Sequence, residues 1–269
     1  MFDLQTMFLF LFGLFVGTIG TMLGLGAGWV HVPFFLLVFG FTPQDAIGTS
    51  LGIIFFNTLA GSIVYYHRKQ MDYGLAKSLA LAVLPGAIFG PFIAQRFDSM
   101  VFSFLFSFIL FLIAYYMFFG GGGFRLLPEK RYSSIRTVTD ASGHVISYKT
   151  SLELGVIGTV VIGFFSNIFG VGGGIIHIPF LILVLGVPTH IALGTSHFLL
   201  CISSFVGTSI YFMMGNVKID FMMPMALGAI LGARIGAGLS SQIDEAILKK
   251  GLAIIVLLVA IKMLLNGFS

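Results

Sequence analysis

Residues 23–50, "LGLGAGWVHVPFFLLVFGFTPQDAIGTS", recur 146 positions later as "FGVGGGIIHIPFLILVLGVPTHIALGTS" at 169–196. The two segments align without gaps and share 13 of 28 residues, among them glycines, a histidine, a proline and the final "GTS". Further on, "MDY" (71–73) resembles "IDF" (219–221), and "GAIFG" (86–90) resembles "GAILG" (228–232). The sequence is therefore a tandem repeat of one unit.

The composition is that of a polytopic membrane protein. Of 269 residues, 58% are hydrophobic and 9% charged, and the mean hydropathy is +1.06, far from a soluble domain. Runs close to the ~20 residues that a spanning helix needs occupy 4–22, 46–66, 75–94, 100–119, 152–169, 192–213, 221–239 and 246–266. Two shorter apolar runs, 29–41 and 175–187, lie within the repeated segments.

One polar segment, from Gly120 to Thr150, divides the two copies. We expect an N-terminal transmembrane repeat over 1–119, a cytoplasmic linker loop over 120–151 and a C-terminal transmembrane repeat over 152–269. The predicted fold class is all-α and polytopic, with about five membrane segments and a short, Gly-rich broken or re-entrant helix in each half. The net charge of +4 reflects membrane topology and does not indicate nucleic-acid binding.

The relative orientation of the two copies depends on the short runs. If each crosses the bilayer, each half has five spans and the copies are inverted; if each is re-entrant, each half has four spans and the copies are parallel. Apart from Arg234, which lies within a span, Lys and Arg divide ten to three between the two sides in both arrangements, so the positive-inside rule does not decide. We favour inverted copies, which are common in transporters with broken helices.

The glycine clusters predict breaks in the membrane helices. A Gly in a helix interior costs about 0.5–1 kcal/mol relative to Ala, and non-helical backbone persists in a bilayer only where it is buried in protein or lines a cavity. A helix that restarts after a break offers free N–H groups and the positive end of its dipole, which together bind anions. In a repeated unit, this pattern indicates a secondary transporter with its site between the halves.

The candidate substrate-binding residues are the broken segments and the polar groups of the spans. His31 and His177 follow the clusters closely, and a ring N–H is a further donor. Capping, interhelical hydrogen bonds or snorkelling explain several of the other polar groups equally well. The candidates are Gly24, Gly26, Gly28, His31, Thr49, Ser50, Asn57, Gly170, Gly172, Gly173, Gly174, His177, Thr195, Ser196, His197 and Arg234, with Asn167 as a further lining residue.

Other glycines are better explained by close helix packing. Gly228, Gly232 and Gly236 recur every fourth residue and place a small-residue face on one helix, as Gly86 and Gly90 do on another. Such faces allow helix backbones to approach. The first of them offers a contact to a neighbouring helix or to a second copy in a homodimer.

The absence of Asp and Glu from the centres of the spans favours an anionic substrate over a cation or a carboxylate proton relay. The rival hypothesis is an intramembrane metal site built from His31, His177 and His197. Transition metals need three or four close ligands, and the chain has a single cysteine, Cys201. We therefore expect a small anion and the lipid bilayer as partners, with no cofactor, no metal and no enzymatic activity.

Each half contains a GxGGG-type cluster, a proline five residues after the last glycine of the cluster, and a downstream "GTS". This pattern resembles the sulfite exporter TauE/SafE family of bacterial and archaeal transporters. The matching residues are Gly24, Gly26, Gly28, Pro33, Gly48, Thr49 and Ser50, then Gly170, Gly172, Gly173, Gly174, Pro179, Gly194, Thr195 and Ser196. Ala27 departs from the pattern, since the family usually has glycine there. The resemblance implies a multi-pass protein of the cytoplasmic (inner) membrane that exports sulfite or organosulfonates. An importer or channel for another small oxyanion is the alternative.

Overall fold

The structure, a computed structural model of the chain, describes residues 4–24, 26, 28–119, 134–139, 143, 145–240 and 245–266. Within these ranges both halves contain five helices in the same order. The first half has α1 (Leu4–Met22), α2 (Gly28–Phe39), α3 (Pro43–His67), α4 (Tyr73–Ala94) and α5 (Ser99–Phe119). The second has α6 (Leu152–Phe169), α7 (Gly174–Pro179), α8 (Thr189–Met213), α9 (Ile219–Leu239) and α10 (Glu245–Asn266), with a π-helical stretch, Phe180–Val184, directly after α7.

Six helices in the described part are long and apolar enough to cross a membrane, namely α1, α3, α4, α6, α8 and α9. Two others, α5 and α10, have comparable lengths of 21 and 22 residues. In contrast, α2 has 12 residues and covers about 18 Å at a helical rise of about 1.5 Å per residue, well short of a bilayer core of about 30 Å. The chain is a polytopic helical membrane protein, as the sequence predicts.

The two central helices, α3 and α8, begin earlier than the apolar runs suggest. Thr42 caps α3 by accepting the N–H of Asp45, and Pro43 occupies the first helical position, where its missing N–H costs least. Each helix has 25 residues. Thr49 and Thr195 each lie six residues after the first residue of their helix, so helix capping does not account for the "GTS" residues.

The two halves pack mainly on each other. Helix α1 packs on α9 and α6 packs on α4, while α3 contacts α8 and α5 contacts α10. Helix α3 also contacts α9, and α8 correspondingly contacts α4. Each contact has its counterpart when the halves are exchanged, so the repeat in sequence is also a repeat in packing.

Glycine contacts give the relative direction of α3 and α8. Gly48 near the start of α3 faces Tyr211 near the end of α8, and Gly61 further along α3 faces His197 earlier in α8. The two helices therefore run in opposite directions. They are equivalent helices of the two copies, because their first residues are 146 positions apart.

The small-residue face of α9 packs against α1 of the same chain. A Cβ atom on Gly228, Gly232 or Gly236 would lie 2.1 to 2.4 Å from a backbone carbonyl oxygen of α1. Such a separation excludes any side chain, so the glycines permit direct backbone contact. The face is occupied within the chain, and it does not offer the predicted surface for a homodimer.

The linker contains a β-hairpin that the sequence did not predict. Strand β1 (Ser134–Thr139) pairs antiparallel with β2 (Val145–Thr150), with Ser134 opposite Thr150. Of the predicted linker, residues 120–133 lie outside the described residues. The fold class is thus helical in its membrane part, with a small sheet between the halves.

Candidate functional site

Glycines break the helices at both predicted places. Residues 23–27 separate α1 from α2, and residues 170–173 separate α6 from α7. The backbone there adopts φ angles between 63° and 78° at Gly24, Gly26, Gly170, Gly172 and Gly173. This left-handed region is readily available only to glycine. Leu25 and Ala27 lie outside the described residues; Ala27 is the position at which the first cluster departs from the family pattern.

The two broken segments come together between α3 and α8. A Cβ atom on Gly26 would lie 2.7 Å from Leu200 of α8 and 3.8 Å from Ile54 of α3. On Gly172 it would contact the same two side chains, at 3.5 and 3.0 Å. Ile54 and Leu200 are 146 residues apart, so they are equivalent positions of the two copies. The structure thus places one glycine candidate from each half, Gly26 and Gly172, against the same pair of central side chains.

Gly28 and Ser50 tie the first half to the second broken segment. Gly28, the first residue of α2, packs so closely on Gly170 that a Cβ atom would lie 2.3 Å from the Gly170 carbonyl oxygen. The same carbonyl accepts a hydrogen bond of 2.9 Å from the Ser50 hydroxyl. Ser196, the counterpart of Ser50, is fully buried and has no hydrogen-bond partner among the described residues.

The two threonines of the "GTS" motifs join the halves. The Thr49 hydroxyl accepts the backbone N–H of Lys218, the residue that precedes α9, at 3.0 Å. The Thr195 hydroxyl accepts the backbone N–H of Asp72, which precedes α4, at 3.3 Å. Both hydroxyls therefore hold the start of a helix from the other half.

The start of α7 gathers polar groups that have no protein partner. No side chain caps α7. In its first turn the N–H groups of Ile176 and His177 donate to the Gly173 carbonyl at 2.9 and 2.7 Å, and those of Gly174 and Ile175 have no acceptor within the helix. A Cβ atom on Gly173 would lie 3.1 Å from the Ser166 hydroxyl and 3.4 Å from Nδ1 of His177. Among the described residues, neither this hydroxyl nor either ring nitrogen has a hydrogen-bond partner. Both side chains are buried, with 2% and 1% exposure, so a hydroxyl and an imidazole lie enclosed by protein beside Gly173.

His31 occupies the matching place on α2. It is fully buried, and both of its ring nitrogens lack a hydrogen-bond partner within the part of the chain that the structure describes. The position equivalent to Ser166 in the first half is Gly20. The first break therefore carries the histidine without the neighbouring hydroxyl.

The asparagine side chains serve helix packing to different extents. The Asn57 amide donates to the carbonyls of Gly17 at 3.2 Å and Ala229 at 3.1 Å, and its oxygen accepts the Thr21 hydroxyl at 3.1 Å. Interhelical hydrogen bonding thus accounts for Asn57. The side-chain oxygen of Asn167, by contrast, is buried without a partner among the described residues.

The structure does not bring Arg234 to the other candidates. Its side chain is exposed on the outer face of α9, five residues before the helix ends at Leu239. A cation at this depth reaches the polar boundary of a bilayer by extending its side chain along the helix. The snorkelling explanation therefore replaces the expectation that Arg234 faces a cavity or an anion.

The histidines do not assemble a metal centre. In the described ranges there is no group of three or more His, Cys, Asp or Glu residues that could hold a metal ion. His31, His177 and His197 are thus spread over α2, α7 and α8 without converging as a ligand set.

Asp72 anchors the linker hairpin to the start of α4. Its carboxylate accepts two hydrogen bonds from Arg136, at 2.7 and 3.1 Å, and one from the Tyr148 hydroxyl at 2.6 Å. It also caps α4 by accepting the N–H of Leu75 at 2.7 Å. Burial raises the pKa of this carboxyl, but the hydrogen bonds outweigh burial and hold the pKa below its usual value.

Comparison with known proteins assigns this geometry to a family. Residues 9–263 match the family model described as Sulfite exporter TauE/SafE. The chain belongs to the TauE/SafE sulfite exporter family. The match includes both glycine breaks, both "GTS" motifs and all or most of every helix described above.

Relatives of this TauE/SafE protein are named as transporters. It is 29% identical to the probable membrane transporter protein YunE of Bacillus subtilis, over 95% of this chain and 96% of that protein. It is 25% identical to the probable membrane transporter protein MJ0441 of Methanocaldococcus jannaschii, over 96% and 94%, and 27% identical to one from Xylella fastidiosa, over 94% of each. No solved structure gives a significant match. The family and these names indicate a multi-pass membrane transporter and not an enzyme.

Some buried hydroxyl groups of this TauE/SafE chain were not predicted as site residues, among them Ser166, Ser62 and Thr208. Ser166 has no counterpart in the first copy, so the repeat did not single it out. Ser62 and Thr208 lie 146 residues apart on α3 and α8, and neither hydroxyl has a partner among the described residues. Matched hydroxyls at this spacing were a signal that the sequence did offer.

Proposed function

We propose that the protein is a secondary transporter that exports sulfite or a related small sulfur-containing anion, such as an organosulfonate, across the cytoplasmic membrane. The observation that carries the proposal is the start of α7, where the Ser166 hydroxyl and the His177 ring lie unpartnered and buried beside the Gly173 break. The opposite wall is Gly24, Gly26 and Gly28 with His31.

The chemistry of these groups favours an oxyanion. Helix N-termini bind anions because their N–H groups are free and the dipole is positive there. The Ser166 hydroxyl and one ring N–H of His177 add donors that no described group uses. Asp72, the one buried carboxylate among the described residues, holds the hairpin and is unavailable to a cation. These features support a small anion that accepts several hydrogen bonds, such as sulfite.

The two copies, in this proposal, are inverted in the membrane. Equivalent helices of the two halves, α3 and α8, run in opposite directions. This is the relation that an inverted repeat produces, with the substrate site at the interface of the halves. The threonine contacts from Thr49 to Lys218 and from Thr195 to Asp72 would then lie on opposite sides of the bilayer.

Transport requires the enclosed site to open to each side in turn. His31, His177, Ser166 and Ser196 are all buried, so an anion cannot reach them from water in the conformation described. Rocking of one half against the other about α3 and α8 would open the site alternately. If the anion moves without a coupled ion, an interior-negative potential drives its export at about 2.3 kcal/mol per charge per 100 mV.

Ligand protection tests the anion site directly. Thermal unfolding of the purified protein is followed with sulfite, thiosulfate, sulfoacetate or sulfate, and with chloride as a control for ionic strength. A ligand at about 100 times its Kd stabilises the folded state by about 2.7 kcal/mol, so the melting temperature should rise with at least one sulfur oxyanion. Equal melting temperatures in all five salts would argue against the site.

A further inference from the structure

His197 is a buried imidazole next to the first glycine break. On α8 it shares one face with Leu193 and Leu200, four residues before it and three after. Leu193 lies against Gly24 and Leu200 against Gly26. The His197 side chain is fully buried, so it faces the protein at the level of the break.

The hydrogen bond of His197 fixes its tautomer. Nδ1 lies 3.1 Å from the backbone carbonyl oxygen of Leu193, and a carbonyl can only accept, so Nδ1 carries the hydrogen. In the neutral ring, Nε2 is then a bare acceptor. The Nε2 lone pair can therefore accept one more proton, and no described group donates a hydrogen bond to it.

Burial alone disfavours a charged ring at this position. The described groups that surround it from α1 and α3 carry no formal charge, so the imidazole stays neutral unless an anion lies beside it. His197 lies near Gly61, with Thr21 of α1 on the same side, at the negative, C-terminal end of α1. The groups facing the ring from α1 and α3 are Thr21, Gly61 and Tyr65. Tyr65 is the titratable one, and its hydroxyl donates to the Thr21 carbonyl at 2.9 Å.

The histidine is not required for packing at this position. Its equivalent in the first half is Leu51, which lies against Gly207 as His197 lies against Gly61. A leucine therefore fits the same contact between α3 and α8. The imidazole is specific to the second half, where it breaks the symmetry of the two copies.

We propose that Nε2 of His197 binds one proton for each anion that the transporter carries. This rests on the proposed function and extends it to coupling. The proton adds to the Nε2 lone pair and gives an imidazolium while a monovalent anion occupies the site, and both leave on the other side. The loaded and empty sites are then each neutral, which avoids an uncompensated charge in a low-dielectric region.

The test uses methanesulfonate, which stays ionised at every pH used, so any proton that moves with it is carried by the protein. Proteoliposomes are loaded with this anion and a pH-sensitive dye, and efflux is measured with and without a potassium diffusion potential set by valinomycin. We expect one proton to leave with each anion and the rate to be independent of the potential.

Two variants separate coupling from packing. His197→Leu installs the side chain found at the equivalent position, and His197→Gln keeps a polar group that does not titrate. Efflux should fall by about tenfold or more in both variants. The efflux that remains should depend on the membrane potential. Leu51→Met, the matched control, should behave as wild type. The proton-to-anion ratio is measured on the wild-type protein, so it does not depend on either variant folding.

The outcomes distinguish this proposal from the proposed function. Wild-type efflux of methanesulfonate without protons, or proton coupling retained in His197→Leu, overturns the role of His197 while transport stands. Sulfite flux without methanesulfonate flux also overturns it, because a site charged by one proton should accept a monovalent sulfonate. If no sulfur oxyanion moves, both proposals fall.

Discussion

The Ser50 hydroxyl donates to the carbonyl oxygen of Gly170 at 2.9 Å. A residue of the first "GTS" motif thereby holds the helix break of the second half in place. Its counterpart, Ser196, is as deeply buried but has no partner among the described residues. Two positions that are identical in sequence thus have different roles in the structure.

Replacing Ser50 by Ala should destabilise the protein by about 1 kcal/mol, because it leaves the Gly170 carbonyl without its donor. Thermal unfolding in detergent measures the effect. Ser196→Ala is the matched control and should cost less, since no hydrogen bond among the described residues is lost. Equal losses in the two variants would contradict the asymmetry.

Gly228→Ala should destabilise the protein by about 1–3 kcal/mol, the range for overpacking. Its Cβ atom would lie 2.1 Å from the Phe10 carbonyl oxygen and would force α9 away from α1. Gly238→Ala on the same helix is the control, because its Cβ atom would meet only Arg68, at 3.8 Å. Unfolding temperatures that fall equally in both variants would refute the α1 to α9 contact.

His177→Ala and Ser166→Ala should each weaken sulfite binding about tenfold or more, since a hydrogen bond to a charged group contributes about 1.5–3 kcal/mol. Titration of the purified variants with sulfite, followed by thermal shift, measures the change. His190→Ala changes an exposed histidine on α8 and should bind as wild type does. Unchanged affinity in both site variants would assign Ser166 and His177 to packing.

Acidification should release the Asp72 anchor. The pKa of Asp72 is lower in the folded protein than in the unfolded chain, so its contribution is complete above the unfolded value of about 3.9 and is lost as the pH falls through the folded value. Asp72→Asn should therefore be less stable than wild type at pH 6, and the difference should shrink towards pH 3.

Unfolding temperatures across this pH range supply the measurement for Asp72. The control is Asp220→Asn, which changes an exposed carboxylate on α9 and should follow wild type at every pH. A difference between Asp72→Asn and wild type that grows on acidification would show that the carboxylate does not stabilise the hairpin through its ionised form.

The helix breaks were predictable because their cause is local. Glycine is the residue that adopts positive φ readily, and five glycines in the two gaps do so. The repeat offset of 146 also holds in the structure beyond the segment that revealed it, since α4 and α9 begin at Tyr73 and Ile219.

The register of the last glycines was not predictable in the same way. Sequence similarity pairs Gly86 with Gly228, but Gly86 packs on Gly163 and Gly232 packs on Gly17. These contacts are equivalent under the offset of 146, so Gly232 is the counterpart of Gly86. Because small residues recur at every fourth position, two alignments that differ by one helical turn look equally good in the sequence. Packing against a distant helix decides which of the two alignments is correct.

The remaining differences also come from long-range contacts. The hairpin depends on Asp72, which lies more than 60 residues before Arg136 in the sequence and meets it only in the fold. Arg234 looked central because its span is apolar on both sides, whereas the side of α9 that faces α1 is set by glycines. Ser166 gained its importance from the position of His177 across the break.

Flux of sulfite into or out of proteoliposomes tests the central claim most directly. Vesicles containing the wild-type protein should release sulfite well above the rate of empty vesicles, and Arg234→Gln should match wild type, whereas His177→Ala and Ser166→Ala should approach the empty vesicles. If sulfite, thiosulfate, sulfoacetate and sulfate all leave no faster than from empty vesicles, the anion site at the start of α7 is contradicted.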